Sequence, residues 1–267
     1  MPSFVTNHPA WTLSGLFLVA GLFRLLDIFV FRLDEKWGEI LLSKLILSGM
    51  VIGYAFFSGA GWRSIGFLQT NLGISLMFGA GITLLAFALS YALEYGLSVQ
   101  SGHHLQLRLS AIDPKSGLAG ALGFGLFLLA GNAVNAFAEE GLFRGIMILA
   151  LTRPYGIGVA VGASALVFAL WHIPWAFKAQ MTGQSSLWPA LVVNFVPQLV
   201  MGIVWGILFW RTGNLWSVWT AHFLTNSVLN FVHFEDQSGM DSGLSLRMIT
   251  YLIVMTVATA ISSLNQG

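Results

Sequence analysis

The sequence predicts an all-α, polytopic integral membrane protein of about eight transmembrane helices around an intramembrane polar cavity. Three observations carry that prediction. Hydrophobic residues make up 56% of the 267-residue chain and charged residues only 9%, against about 25% charge in a soluble domain. Mean hydropathy is +0.78. The apolar residues also gather into runs of about 20, the length that crosses a hydrocarbon core.

Composition excludes several functions at once. A net charge of +1 offers no basic patch for nucleic acid. The chain has no cysteine, so disulfides, thiolate metal sites, cysteine nucleophiles and a C-terminal lipidation box are excluded. Met1 to Ala10 lacks a basic n-region, and Trp11 to Phe31 is therefore expected as a retained helix rather than a cleaved signal.

Eight spans are expected, at about 11–31, 39–57, 72–97, 117–143, 156–172, 187–210, 215–233 and 246–264. The first carries Arg24 and Asp27 at i, i+3, a spacing at which they can neutralise one another. Arg32 to Lys36 reads as a charged loop, and Gly59 to Gly66 as a glycine-rich turn with an interfacial Trp62 and Arg63. Ser98 to Ser116 is the least hydrophobic stretch of the first half; with His103, His104, Arg108 and Asp113 it reads as a solvated loop or short interfacial segment. In it Leu105, Leu107 and Leu109 alternate with polar residues. No internal repeat or linker divides the chain, so one helical domain over 1–267 is expected, its motif-bearing core at about 117–233.

The fourth span holds the run Ala138-Glu139-Glu140-Gly141-Leu142-Phe143-Arg144. Each of its three charges costs roughly 2.5–3.5 kcal/mol at the centre of a transmembrane helix, and about twenty apolar neighbours barely offset the sum. Such charges must face protein, water or the membrane surface. Asn132, Asn135 and Glu139 share one helical face, while Glu140 meets Arg144 at i, i+4. Glu140 and Arg144 can therefore satisfy each other, whereas Glu139 has no partner within its own helix. A carboxylate so placed in a cavity suits a general base.

Two further spans add polar groups. The fifth ends on Phe168, Trp171 and His172, and Pro174 stops the helix there. In the seventh, His222, Asn226, Asn230 and His233 form one polar stripe that must look inward. A carboxylate, two imidazoles and an amide make the parts of a hydrolase. Glu139 would take a proton from water held by His172, and His222 with Asn226 would donate to the oxyanion, where one donor can be worth about 3 kcal/mol. The HExxH of a zinc protease helix is absent, Asp27 is the only aspartate in a span, and Ser164 is accounted for as a small residue on a packing helix.

Glu139-Glu140-x-x-x-Arg144, Phe168-x-x-x-His172 and His222-x-x-x-Asn226, in that order on successive helices, resemble the CPBP family of CAAX-protease and bacteriocin-processing enzymes, also called Abi. Among these, the type II CAAX prenyl endopeptidases remove the last three residues from a prenylated cysteine tail. The resemblance implies Glu139 as activating base, His172 as its water-binding partner, His222 and Asn226 as the oxyanion site, and Glu140, Arg144 and Phe168 in support. It also implies a cell-membrane or endoplasmic-reticulum location, with membrane lipid and a prenylated protein or peptide as partners. The family is often labelled a metalloprotease. Glu139, His172 and His222 could ligate zinc with one position open, but a metal-free glutamate–water mechanism is favoured because Glu140 would reach a histidine only by leaving Arg144. Two other readings stay open, a non-catalytic scaffold or bacteriocin-immunity protein and a proton-coupled transporter. The cavity is expected to extend to Asn230 and His233, with room for a peptide backbone or lipid.

Overall fold

The computed structural model describes residues 8–114, 117–236, 241 and 243–264, and the apolar runs form ten α-helices among them. Met1 to Asn7, the start of the segment read above as lacking a basic n-region, and Lys115 and Ser116 at the end of the polar stretch lie outside the described residues. Helix α1 (Pro9–Leu25) opens on a proline, which suits a first turn whose N–H has no helical partner. It widens into a π segment, Leu26–Phe31, ended by Arg32 at φ 51°. Then come α2 (Leu33–Trp37), α3 (Leu41–Phe57), a short 3-10 turn (Gly61–Ile65) and the long α4 (Leu72–Gln100). Helix α5 (Leu122–Glu140) continues through a second π segment, Gly141–Ile148, into α6 (Leu149–Leu170). Helices α7 (Ile173–Met181), α8 (Leu187–Thr212), α9 (Leu215–Phe231) and α10 (Leu244–Leu264) complete the chain.

Five helical stretches are long and apolar enough to cross a membrane: Pro9–Phe31, Leu72–Gln100, Leu122–Met181, Leu187–Thr212 and Leu244–Ile261. The third runs for 60 residues, about three times a crossing length. It kinks at Gly156, whose φ of 80° and ψ of 162° are non-helical, two residues after Pro154. That break separates the expected spans 117–143 and 156–172. Helix α3 is a shorter apolar helix, and α9, with 17 residues and a polar stripe, is not among the candidates. Six of the eight expected spans thus fall within the five candidate stretches, two of them in the third, while 39–57 and 215–233 fall short by length or composition among the described residues.

The outward faces are apolar, with Leu18 75% and Met77 76% exposed, while Glu140 and Arg144 are fully buried. This inverts the usual soluble pattern and fits hydrocarbon outside and a polar interior. Close helix approach depends on small residues. A Cβ on Gly79 of α4 would come within 2.1 Å of the Ser217 carbonyl oxygen on α9.

The stretch from Ser98 is more ordered than a loop. Helix α4 extends to Gln100, and Gln106–Leu109 forms strand β1. It pairs antiparallel with β4 (Val232–Glu235), placing Arg108 opposite His233. Arg108 Nη1 also meets Glu235 Oε1 at 2.6 Å across this ribbon. The alternation of leucines is thus that of a strand. Two short strands, β2 (Ala111–Ile112) and β3 (Ala119–Gly120), pair beside it.

Candidate active site

The end of α5 is held against α3 by a glycine. A Cβ on Gly141 would sit 2.5 Å from Val51 Cγ1, so the Val51 side chain occupies the space a side chain here would need. Gly141 also opens the π segment, all eight residues of which are buried. Such wide turns recur at functional sites. On this stretch Glu139 and Glu140 point to different partners.

Glu140 Oε1 accepts from Arg144 Nη1 at 3.0 Å, the pair expected from the sequence. The same oxygen also lies 2.7 Å from His222 Nδ1. This corrects the expectation that Glu140 reaches a histidine only by leaving Arg144, since one carboxylate oxygen serves both. Arg144 is enclosed by aromatic rings, its Cζ 4.2 Å from the Phe168 centroid and 5.3 Å from that of Trp205. Cation–π contact of this kind stabilises a desolvated guanidinium by about 2 kcal/mol.

Glu139 is buried and has partners on three other elements. Its Oε1 accepts from Trp171 Nε1 at 3.1 Å and faces Arg24 Nη1 at 3.5 Å, while Oε2 lies 3.9 Å from His222 Nε2. Arg24 therefore turns to Glu139, and Asp27, its expected partner, accepts from the Ser43 backbone N–H at 2.8 Å. The physical reason is tertiary. The helix-local pairing at i, i+3 competes with a second buried carboxylate that has no partner on its own helix.

His172 sits at the joint between α6 and α7, where Pro174 opens the next helix. Its Nδ1 is 2.8 Å from the Phe168 carbonyl oxygen, so Nδ1 is the nitrogen that donates there and Nε2 is the other ring nitrogen. The Phe168 ring packs edge-on against the imidazole at 4.8 Å.

Helix α9 is anchored at its start by Asn214, whose side chain accepts from Trp216 N and donates to the Leu68 and Thr70 carbonyls at 3.1 and 3.0 Å. Two turns on, His222 stacks on Trp205 with centroids 4.5 Å apart, and its Nε2 lies 3.4 Å from Asn135 Nδ2. Asn226 follows at the next turn and makes no side-chain hydrogen bond to any described residue. Asn230 is occupied at both ends, accepting from Asn132 Nδ2 at 2.8 Å and donating to the Ile112 carbonyl at 3.0 Å. His233 lies beyond the helix, on β4, with Nε2 3.2 Å from the carbonyls of Ser110 and Asn230. The polar stripe on the helix therefore ends at Asn230, which ties α9 to α5 and β2, while His233 on β4 reaches the Ser110 carbonyl.

Glu139, His172, His222 and Asn226 all line one cavity of about 330 Å³, with Arg24 and Lys44 on its wall. Lys44 pairs with Glu39 beside it. Sequence reasoning missed Arg24, Trp171, Trp205 and the Lys44–Glu39 pair as parts of this site. Arg24 and Lys44 carried the available signal, charges within apolar spans. Ser164, by contrast, is fully buried and donates to the Phe143 carbonyl at 2.9 Å.

Among the described residues no group of three His, Asp or Glu side chains is disposed to hold a metal. The Nδ1 of each imidazole is on a protein acceptor, which leaves Nε2 as its other ring nitrogen, an arrangement that suits a histidine holding water as well as one ligating a metal.

Residues 121–228 match the family model described as type II CAAX prenyl endopeptidase Rce1-like. No curated protein and no solved structure matches the chain significantly. The matched segment runs from the start of α5 into the last turn of α9, so all three motifs fall inside it, and α1 to α4 and α10 fall outside. Five candidate spans and an Rce1-like segment make the chain an integral membrane protein.

Proposed function

We propose that this protein, carrying an Rce1-like segment at residues 121–228, is an endopeptidase of the CAAX prenyl protease type. It hydrolyses a peptide bond near the C-terminus of a prenylated or otherwise membrane-associated peptide. The observation that carries this reading is the division of labour at Glu139. Its Oε1 is held by Trp171 and Arg24, and its Oε2 faces His222 Nε2 across 3.9 Å inside the cavity.

Glu139 takes a proton from a water held by the lone pair of His172 Nε2. The resulting hydroxide attacks the scissile carbonyl carbon, and the carbonyl oxygen gains the negative charge. His222 Nε2–H and the Asn226 amide donate to that oxyanion, each such donor being worth about 3 kcal/mol. When His222 donates from Nε2 it carries hydrogen on both nitrogens, and Glu140 at Nδ1 balances the charge. Collapse of the tetrahedral intermediate breaks the C–N bond, and Glu139 returns its proton to the leaving amine.

The test is cleavage of a farnesylated CAAX peptide by purified protein, wild type beside Glu139→Ala. Release of the terminal tripeptide by wild type alone supports the reading. A Glu139→Ala protein that cleaves as fast as wild type sinks it. A zinc-dependent version of the same protease predicts loss of cleavage with a chelator. A non-catalytic scaffold or immunity protein predicts peptide binding without turnover.

A further inference from the structure

We infer that Arg24 is a positioning residue of the site, one that fixes the Glu139 carboxylate so that Oε2 alone faces the cavity. This rests on the protease reading above and adds to it a residue from α1, outside the matched segment 121–228.

Trp171 Nε1 and Arg24 Nη1 both converge on Glu139 Oε1, at 3.1 and 3.5 Å. They are also packed on each other, with Arg24 Cζ 4.6 Å from the Trp171 ring centroid. The three side chains thus form a closed clamp, the indole acting as donor to the carboxylate and platform for the guanidinium. A carboxylate gripped at one oxygen by two donors cannot rotate freely about its terminal bond. Its second oxygen stays directed at His222 and the space where a water and a carbonyl must meet.

Arg24 is poorly justified as a purely structural residue. It is 4% exposed, yet its Nε has no hydrogen-bond partner among the described residues. Burying an incompletely satisfied arginine is costly, and a well-packed apolar side chain would stabilise the fold more. Asp27, one turn away, is engaged with Ser43. The contacts that Arg24 does make run to Glu139 and to its clamp partner Trp171.

Two measurements on Arg24→Gln, Arg24→Lys, Glu139→Gln and Arg24→Gln/Glu139→Gln test this. The first is a double-mutant cycle on Tm in detergent. Each single substitution leaves one buried charge uncompensated, so the double variant is expected to lose less than the sum of the singles. An additive cycle would overturn the clamp. The second is steady-state cleavage of the farnesylated peptide. Folded Arg24→Gln is expected to lose about 100-fold in kcat with KM within about twofold, since misplacing a reacting group by about 1 Å costs that much. Arg24→Lys should recover part of the loss, because an ammonium keeps the charge without the planar fork. An unchanged kcat in Arg24→Gln would overturn the positioning role. Were wild type itself inactive on the peptide, the protease reading would fail, and the Tm cycle alone would decide whether Arg24 clamps Glu139.

Discussion

His222 Nδ1 lies 2.7 Å from Glu140 Oε1, and this contact decides which nitrogen of the ring faces the cavity. Glu140 in turn is tied to Arg144 at 3.0 Å, so orientation passes from the π segment through a carboxylate to α9. Glu140→Ala should therefore act twice. It frees His222 to turn, and it leaves the fully buried Arg144 without its counter-charge, a loss of about 3–5 kcal/mol. Thermal unfolding in detergent should show a marked fall in Tm, with peptide cleavage lost. Glu140→Gln, which keeps an acceptor oxygen, should fall less in Tm.

Arg144→Lys tests the aromatic enclosure. The guanidinium carbon lies 4.2 Å over the Phe168 ring, a contact an ammonium cannot reproduce while also reaching Glu140. Retained folding with a Tm lower by the equivalent of about 2 kcal/mol is expected. A Tm equal to wild type would show that the rings contribute nothing.

Asn230→Ala separates bracing from substrate contact. Removing the amide leaves Asn132 Nδ2 and the Ile112 carbonyl without their partner, which costs about 1–3 kcal/mol for each buried group left unsatisfied. The protein should lose thermal stability while the KM of the folded fraction stays unchanged. A raised KM at unchanged Tm would return Asn230 to the substrate.

Stability should depend on pH through His233 and Asp241, which lie outside every candidate span. The Asp241 carboxylate, 3.7 Å from Nδ1, holds His233 above the usual imidazole range against the opposing effect of burial. Burial pushes Asp241 up, but hydrogen bonds and charge from His233 and Arg247 more than offset it and leave it below the usual carboxylate range. The His233 contribution is complete below the unfolded value of about 6.5 and fades as pH rises through the higher folded one. The Asp241 contribution is present above about 3.9 and fades as pH falls through the lower folded value. Tm should thus fall as pH rises from about 6.5 through the higher folded value of His233, and His233→Gln should flatten that slope. A slope unaltered by His233→Gln would refute the pairing.

The polar residues of the site were legible because charge and amide groups stand out in apolar helices. Glu139, His172 at a proline joint and His222 with Asn226 line one cavity, while Glu140 and Arg144 are off its wall and meet it through the Glu140–His222 contact. The partition of contacts was less legible. Arg24 lies 115 positions from Glu139, and its local neighbour Asp27 offered a pairing that tertiary packing overrode. The π turn after Glu140 was also hidden, since Gly141 to Ile148 reads as continuous apolar helix. His233 was placed on the wrong element because helical spacing continues past Phe231 in the sequence, whereas the backbone turns extended to pair with Gln106–Leu109. The leucine alternation marks β1 in the sequence, but the four residues of β4, Val232–Glu235, carry almost no periodic signal of their own.

Activation of water by Glu139 without a metal is tested by cleavage of a farnesylated CAAX peptide by wild type and Glu139→Ala, each with and without a chelator. The metal-free mechanism predicts tripeptide release by wild type at the same rate in both conditions and none by Glu139→Ala. Cleavage that survives Glu139→Ala, or that the chelator abolishes, would contradict it.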